Sequence, residues 1–145
     1  MRKINYIVVH CSATREGCTL TSEALEADRR RGFRTTGYHY YIRRDGTVLG
    51  TRSLELPGAH CRGHNKYSIG ICYEGGLDAW GNPKDTRTPE QRSALHLLVY
   101  QLLQQFRNAR VCGHRDLSPD LDGDGTVEPW EWVKQCPCFE VSKEF

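Results

Sequence analysis

The stretch from Thr88 to Arg107 constrains the fold most. Leu95, Leu98, Val99, Leu102, Leu103 and Phe106 form one apolar stripe at helical spacing. Thr88 and Gln91 make a capping box, and Pro89 sits in the first turn. The pattern predicts a helix over 89–107 that must bury one side against another layer. The remaining apolar runs are short and β-branched or aromatic, and they read as strands. These are residues 4–9, Ser68 to Tyr73 closed by Gly75-Gly76, and Ala109 to Cys112. Residues 38–50 read as a hairpin turning at Asp45-Gly46. In it Tyr38, Tyr40 and Ile42 share one face, and His39, Tyr41 and Arg43 the other. A helix is expected over 21–31, with an acidic start, a basic end and Gly32 as its stop. A short helix is expected to follow Pro129 and end near Pro137. The order β-α-β-β-β-α-β-α predicts an α/β fold, a mixed central sheet flanked by helices in a single domain over 1–145.

At 145 residues the chain can bury a core without covalent staples. Twenty Lys and Arg oppose eighteen Asp and Glu, for a net charge of +2, which excludes a generic polyanion binder, so no nucleic-acid partner is expected. Mean hydropathy is −0.63, and no apolar run approaches the ~18–20 residues of a spanning helix, so no membrane partner is expected. Met1-Arg2-Lys3 before Tyr6-Ile7-Val8-Val9 imitates the start of a signal peptide. The apolar run is too short, however, and no small-residue cleavage site follows. Synthesis in the cytoplasm is therefore expected, unless an export signal has been cut away. The seven Cys (11, 18, 61, 72, 112, 136 and 138) form no regular framework and are expected to be reduced. A monomer is expected.

Three residues far apart in sequence could share a metal. His10 closes the first strand, His114 closes the last, and Cys136 follows the final helix. Strand ends in a mixed sheet commonly meet at one edge. Two His and one Cys hold zinc while leaving a fourth position for water. Bound there, zinc would polarise a carbonyl and lower the pKa of its water to ~7. The plainer alternative is two hydrogen-bonded strand-end imidazoles and a packed thiol, and spacing alone leaves both open.

Several motifs occur in a fixed order. They are Val9-His10-Cys11-Ser12-Ala13-Thr14, Gly37-Tyr38-His39-Tyr40, Arg44-Asp45-Gly46-Thr47-Val48, Asn65, Ser68-Ile69-Gly70-Ile71-Cys72, Gly113-His114-Arg115-Asp116 and Lys134-Gln135-Cys136-Pro137. Across nearly its whole length the chain resembles the amidase-type phage lysozymes, within the zinc amidase and peptidoglycan recognition protein superfamily. The resemblance implies cleavage of the amide between N-acetylmuramic acid and L-alanine in peptidoglycan. It implies Zn2+ held by His10, His114 and Cys136, with Tyr38 and Lys134 as the essential catalytic pair. Lys134 would stabilise the oxyanion, and Tyr38 would hydrogen-bond the attacking water or the tetrahedral intermediate. Some members of the superfamily carry Glu on the central strand where this chain has Cys72, so a Glu base is not expected. His60 resembles a groove position, and with Asn65 it is expected at the mouth of the substrate groove, a surface role being the alternative. His39 is expected to be structural, His96 solvated and Cys138 a packed thiol. The resemblance also implies a lysin that reaches the cell wall after release, through a holin or another route. A bacterial wall enzyme or effector is the alternative.

One segment departs from the lysozyme pattern. From Asp120 to Glu131 it reproduces the order of an EF-hand calcium loop, with Asp120, Asp122, Asp124, Gly125, the Thr126 carbonyl, Glu128 and Glu131 at the expected positions. Ser118-Pro119 precludes the leading helix, so Ca2+ here is expected only as a brace, against the alternative of a metal-free acidic turn. Two rival functions follow. One is a non-catalytic peptidoglycan-binding module on the same fold, and the other is a calcium-responsive binding protein.

Overall fold

The computed structural model describes residues 2–18 and 37–145. The helix expected over 21–31 lies outside the described residues. Five strands form the central sheet: β1 (Tyr6–Cys11), β3 (Tyr40–Ile42), β4 (Val48–Gly50), β5 (Ser68–Tyr73) and β7 (Arg110–Gly113). Their spatial order is β4-β3-β5-β1-β7. Only β3 and β4 pair antiparallel, as the predicted hairpin; every other neighbour is parallel. The hairpin turns where predicted: Gly46 takes φ +88°, and Asp45 Oδ1 accepts from Thr47 N at 2.9 Å. A separate parallel pair, β2 (Thr14–Arg15) with β6 (Gly76–Leu77), extends the chain beyond β1 and β5.

Alternation along the strands gives the sheet two different faces. Ile7, Val9 and Cys11 of β1 join Ile69, Ile71 and Tyr73 of β5 and Ile42 of β3 in the apolar core. Against them packs α1 (Pro89–Gln105), through Leu95, Leu98, Val99 and Leu102. Burying each such side chain contributes about 1.5–3 kcal/mol, which fixes the helix on this face. The capping box forms as predicted: Gln91 N donates to Thr88 Oγ1 and Thr88 N to Gln91 Oε1. The buried Gln91 Nε2 also donates to the carbonyls of Ile42 and Glu74, clamping the helix start to β3 and β5. The opposite face carries Val8 and His10, Gly70 and Cys72, and Tyr41, which are in register across β1, β5 and β3. The site is built at the end of this second face.

The helix expected between Pro129 and Pro137 does not form. A single 3-10 turn spans Pro129–Glu131, and Trp132 returns to extended backbone. Two short turns bounded by prolines cannot repay helix nucleation. Tertiary partners take the segment instead. Ser118 Oγ accepts from Val133 N, Arg115 N donates to the Cys136 carbonyl, and the Arg115 guanidinium stacks 3.8 Å from the Trp132 ring centroid. Lys134 therefore stands on a loop. No helix among the described residues is long and apolar enough to cross a membrane.

Candidate metal centre

Parallel pairing brings the two histidines together. β1 and β7 are in register up to Val9 opposite Gly113, so His10 and His114 emerge side by side at one edge of the sheet. Their ring centroids are 4.6 Å apart. Cys136 arrives from the loop after the 3-10 turn. Its backbone is held by Arg115 N, and the next residue's carbonyl accepts from Tyr73 Oη at 2.5 Å. Gly113 permits this docking, because a Cβ there would lie 2.7 Å from Pro137 Cδ. Cys11 N donates to Cys136 Sγ at 3.2 Å, an arrangement that suits a sulfur acting as acceptor. One ligand atom each from His10, His114 and Cys136 lies within 4.8 Å of the others. Two imidazoles and one thiol are a donor set that fits an open zinc site, which forms bonds of ~2.0–2.3 Å and keeps a fourth position for water.

The electrostatics suit ligation. Burial holds His10 well below its ordinary pKa, with His60, His114 and Lys134 adding to the effect. Burial, then Lys134, also lowers His114. Both rings are thus neutral, with lone pairs to give. The hydrogen bond with Cys11, then burial, raises the Cys136 thiol, so a bound cation would have to displace its proton.

Tyr38 and Lys134 flank this group. The Tyr38 ring is half-buried, 5.1 Å from that of His10. The charge of Cys72 and burial raise its pKa, keeping the phenol a proton-bearing donor. Lys134 is exposed and, with His114, Cys61, His64, Leu117 and Val133, lines a cavity of about 590 Å3. That is room for part of an extended substrate beside the candidate metal group.

His60 and Asn65, the two groove candidates, line one cavity together with His114 and Lys134. His60 is only 8% exposed, which excludes a plain surface role, and its Nδ1 lies 2.9 Å from His10 Nε2. Asn65 reaches a cavity wall, but its Oδ1 is engaged by the backbone N–H groups of His60 and Cys61, both at 2.9 Å. It therefore ties the loop that carries His60. Two glycines make the slot for that ring, since a Cβ at Gly58 or Gly70 would come within 2.5 or 2.6 Å of it. In the sequence those glycines were the only signal, and they mean nothing until register places them against His60. His39 is structural as expected: its Nδ1 accepts from Gly70 N and its Nε2 donates to the Leu56 carbonyl. His96 is exposed and meets Glu144. Cys138 packs with its Sγ 4.0 Å from Cys11 Sγ.

In the acidic loop, oxygens of Asp120, Asp122, Asp124 and Glu131 also lie within 4.8 Å of one another. Glu128 stands outside that group and accepts from Trp130 Nε1. Glu131 is buried and organises the loop, accepting from the backbone N–H groups of Leu121, Asp122 and Glu128.

Comparison with known proteins agrees with this geometry. Residues 1–137 match the family described as N-acetylmuramoyl-L-alanine amidase. An uncharacterized protein of Haemophilus influenzae is 47% identical over 97 residues, which cover 67% of this chain and 84% of that protein. The endolysin of Klebsiella phage KP32 is 35% identical over 143 residues, covering 98% of this chain and 85% of the endolysin. Among solved structures, the N-acetylmuramoyl-L-alanine amidase LysC from Clostridium intestinale superposes with a TM-score of 0.73 at 26% identity, over 99% of this chain and 82% of LysC. The chain belongs to the N-acetylmuramoyl-L-alanine amidase family and is an enzyme that acts on peptidoglycan.

Proposed function

We propose that this amidase hydrolyses the bond between N-acetylmuramic acid and L-alanine with one zinc ion held by His10, His114 and Cys136. The observation that carries the reading is the meeting of two imidazoles and one thiol at a sheet edge beside an open cavity. When bound, zinc supplies Lewis acidity toward the scissile carbonyl and acidifies the attacking water. The chain's own residues do the rest. Lys134 presents a fixed positive charge at the cavity wall, where negative charge develops on the carbonyl oxygen. Tyr38, kept protonated, donates a hydrogen bond from its half-buried position beside His10. A non-catalytic recognition module has no need of such a complete set, and this favours hydrolysis. Cell-wall zymography with and without a chelator tests the reading. Lysis lost on chelation and restored by zinc supports it, whereas lysis indifferent to chelation refutes it. Action on the wall after release from the cell, in the manner of an endolysin, belongs to the same proposal.

The acidic loop is proposed as a second, structural ion site that takes calcium, supported by the grouping of Asp120, Asp122, Asp124 and Glu131. Held there, the ion would brace the segment that leads to Lys134 and Cys136. Isothermal titration of the chelated protein tests it, and no heat at millimolar calcium ends it.

A further inference from the structure

We infer that His60 is a positioning residue: it fixes the tautomer and ring orientation of His10, so that Nδ1 is the nitrogen offered to the ion. The inference rests on the zinc reading above. His60 Nδ1 faces His10 Nε2 at 2.9 Å, and His60 Nε2 faces Ser68 Oγ at 3.0 Å. All three side chains are buried, with Ser68 fully so. His60 is not a member of the ligand group itself.

Proton order decides what this row of contacts does. Of two ring nitrogens in contact, one must donate and the other accept. If His60 donated, the neutral His10 would carry its proton on Nδ1 and its only lone pair would point at His60, leaving nothing for a cation. If His10 donates from Nε2, its Nδ1 lone pair is free, and His60 accepts on Nδ1 and passes its own N–H to Ser68 Oγ. Only the second order makes His10 a ligand, and it accounts for every nitrogen in the row. The ring of His60 cannot turn away. It stands edge-on to His10, at 88° and 4.9 Å between centroids. Gly58 and Gly70 close its slot, and Asn65 holds its backbone. Partners of this kind orient a metal-bound imidazole and raise its basicity.

The test compares wild type, His60→Gln and His60→Phe. Zinc affinity is read by competition with a chromogenic chelator, and the Co2+-substituted proteins are compared by visible absorption. Gln can still accept from His10 Nε2–H through its side-chain carbonyl, whereas Phe fills the slot but cannot. The inference expects His60→Phe to lose about 10–100-fold in zinc affinity, with shifted cobalt bands. It expects His60→Gln to recover most of the affinity. His60→Phe binding zinc as wild type does, with the same cobalt spectrum, would overturn it. So would equal loss in both variants accompanied by a lower apo melting temperature, the mark of a merely structural role. A wild-type protein that takes up no zinc instead refutes the zinc reading, and the inference with it.

Discussion

The rings of His10 and His114 stand 4.6 Å apart because β1 and β7 run parallel with Val9 opposite Gly113. Adjacent strands are about 4.8 Å apart. One lattice step therefore cancels the whole sequence separation, and the metal group depends on strand register. Cys136 completes it only because its loop docks on that same edge.

Removing a ligand should abolish metal uptake without unfolding the sheet. We expect His114→Ala and Cys136→Ser to purify with little zinc by elemental analysis and to fail to clear cell-wall suspensions. Their circular dichroism should match that of the metal-free wild type. Stoichiometric zinc in either variant would remove that residue from the ligand set.

Lys134 and Tyr38 should behave oppositely to the ligands. Lys134→Ala and Tyr38→Phe are expected to retain zinc and to lose about 10²–10³ in kcat, the usual consequence of deleting one transition-state donor. Wall-lysis rates paired with metal content check this. Full turnover by either variant would cancel its assigned role.

The slot around His60 can be probed from the sheet side. Gly70→Ala would set a Cβ 2.6 Å from His60 Cγ, and Ser68 and Gly58 leave the ring no room to retreat. Overpacking of this kind costs about 1–3 kcal/mol. Differential scanning calorimetry should show a lower Tm, and chelator competition a weaker hold on zinc. A variant with wild-type Tm and affinity would show that the slot is looser than the contacts imply.

One cluster should contribute a separable part of the stability lost in acid. The buried Arg87 donates to Asp85 and Glu144 and lies 3.4 Å over the Phe139 ring. Burial would raise Asp85, but the Arg87 hydrogen bonds outweigh it and leave the carboxyl below its ordinary 3.8. The Arg87 bond likewise holds Glu144 below 4.5. Carboxyls depressed on folding contribute stability above their unfolded values and lose it as pH falls through the folded ones. This cluster's contribution to the melting temperature should therefore be lost progressively as pH falls below about 4.5. Arg87→Leu should be less stable at neutral pH, by about 3 kcal/mol, and should show a shallower acid dependence. An equal acid slope in both proteins would place the titrating groups elsewhere.

Local chemistry was legible in the chain. The apolar stripe and the Thr88–Gln91 box determined α1 and its first residue. The β-branched runs determined β1 and β5, and Asp45-Gly46 determined the hairpin turn. All of these are set by neighbours within a few residues, where propensity and capping act. The same logic failed after Pro129, where hydrogen bonds from Ser118 and Arg115 and the Trp132 stack outweigh a helix too short to sustain itself. It also left open whether His60 was a surface residue, and its burial shows only in the fold, because burial depends on which strand lies alongside. The proposed ligands were recognisable as residue types, but only parallel register and a docked loop could make them neighbours. Sequence determined what each segment would be. The tertiary structure decided which side chains meet, because that depends on pairings between segments that carry no local record of one another.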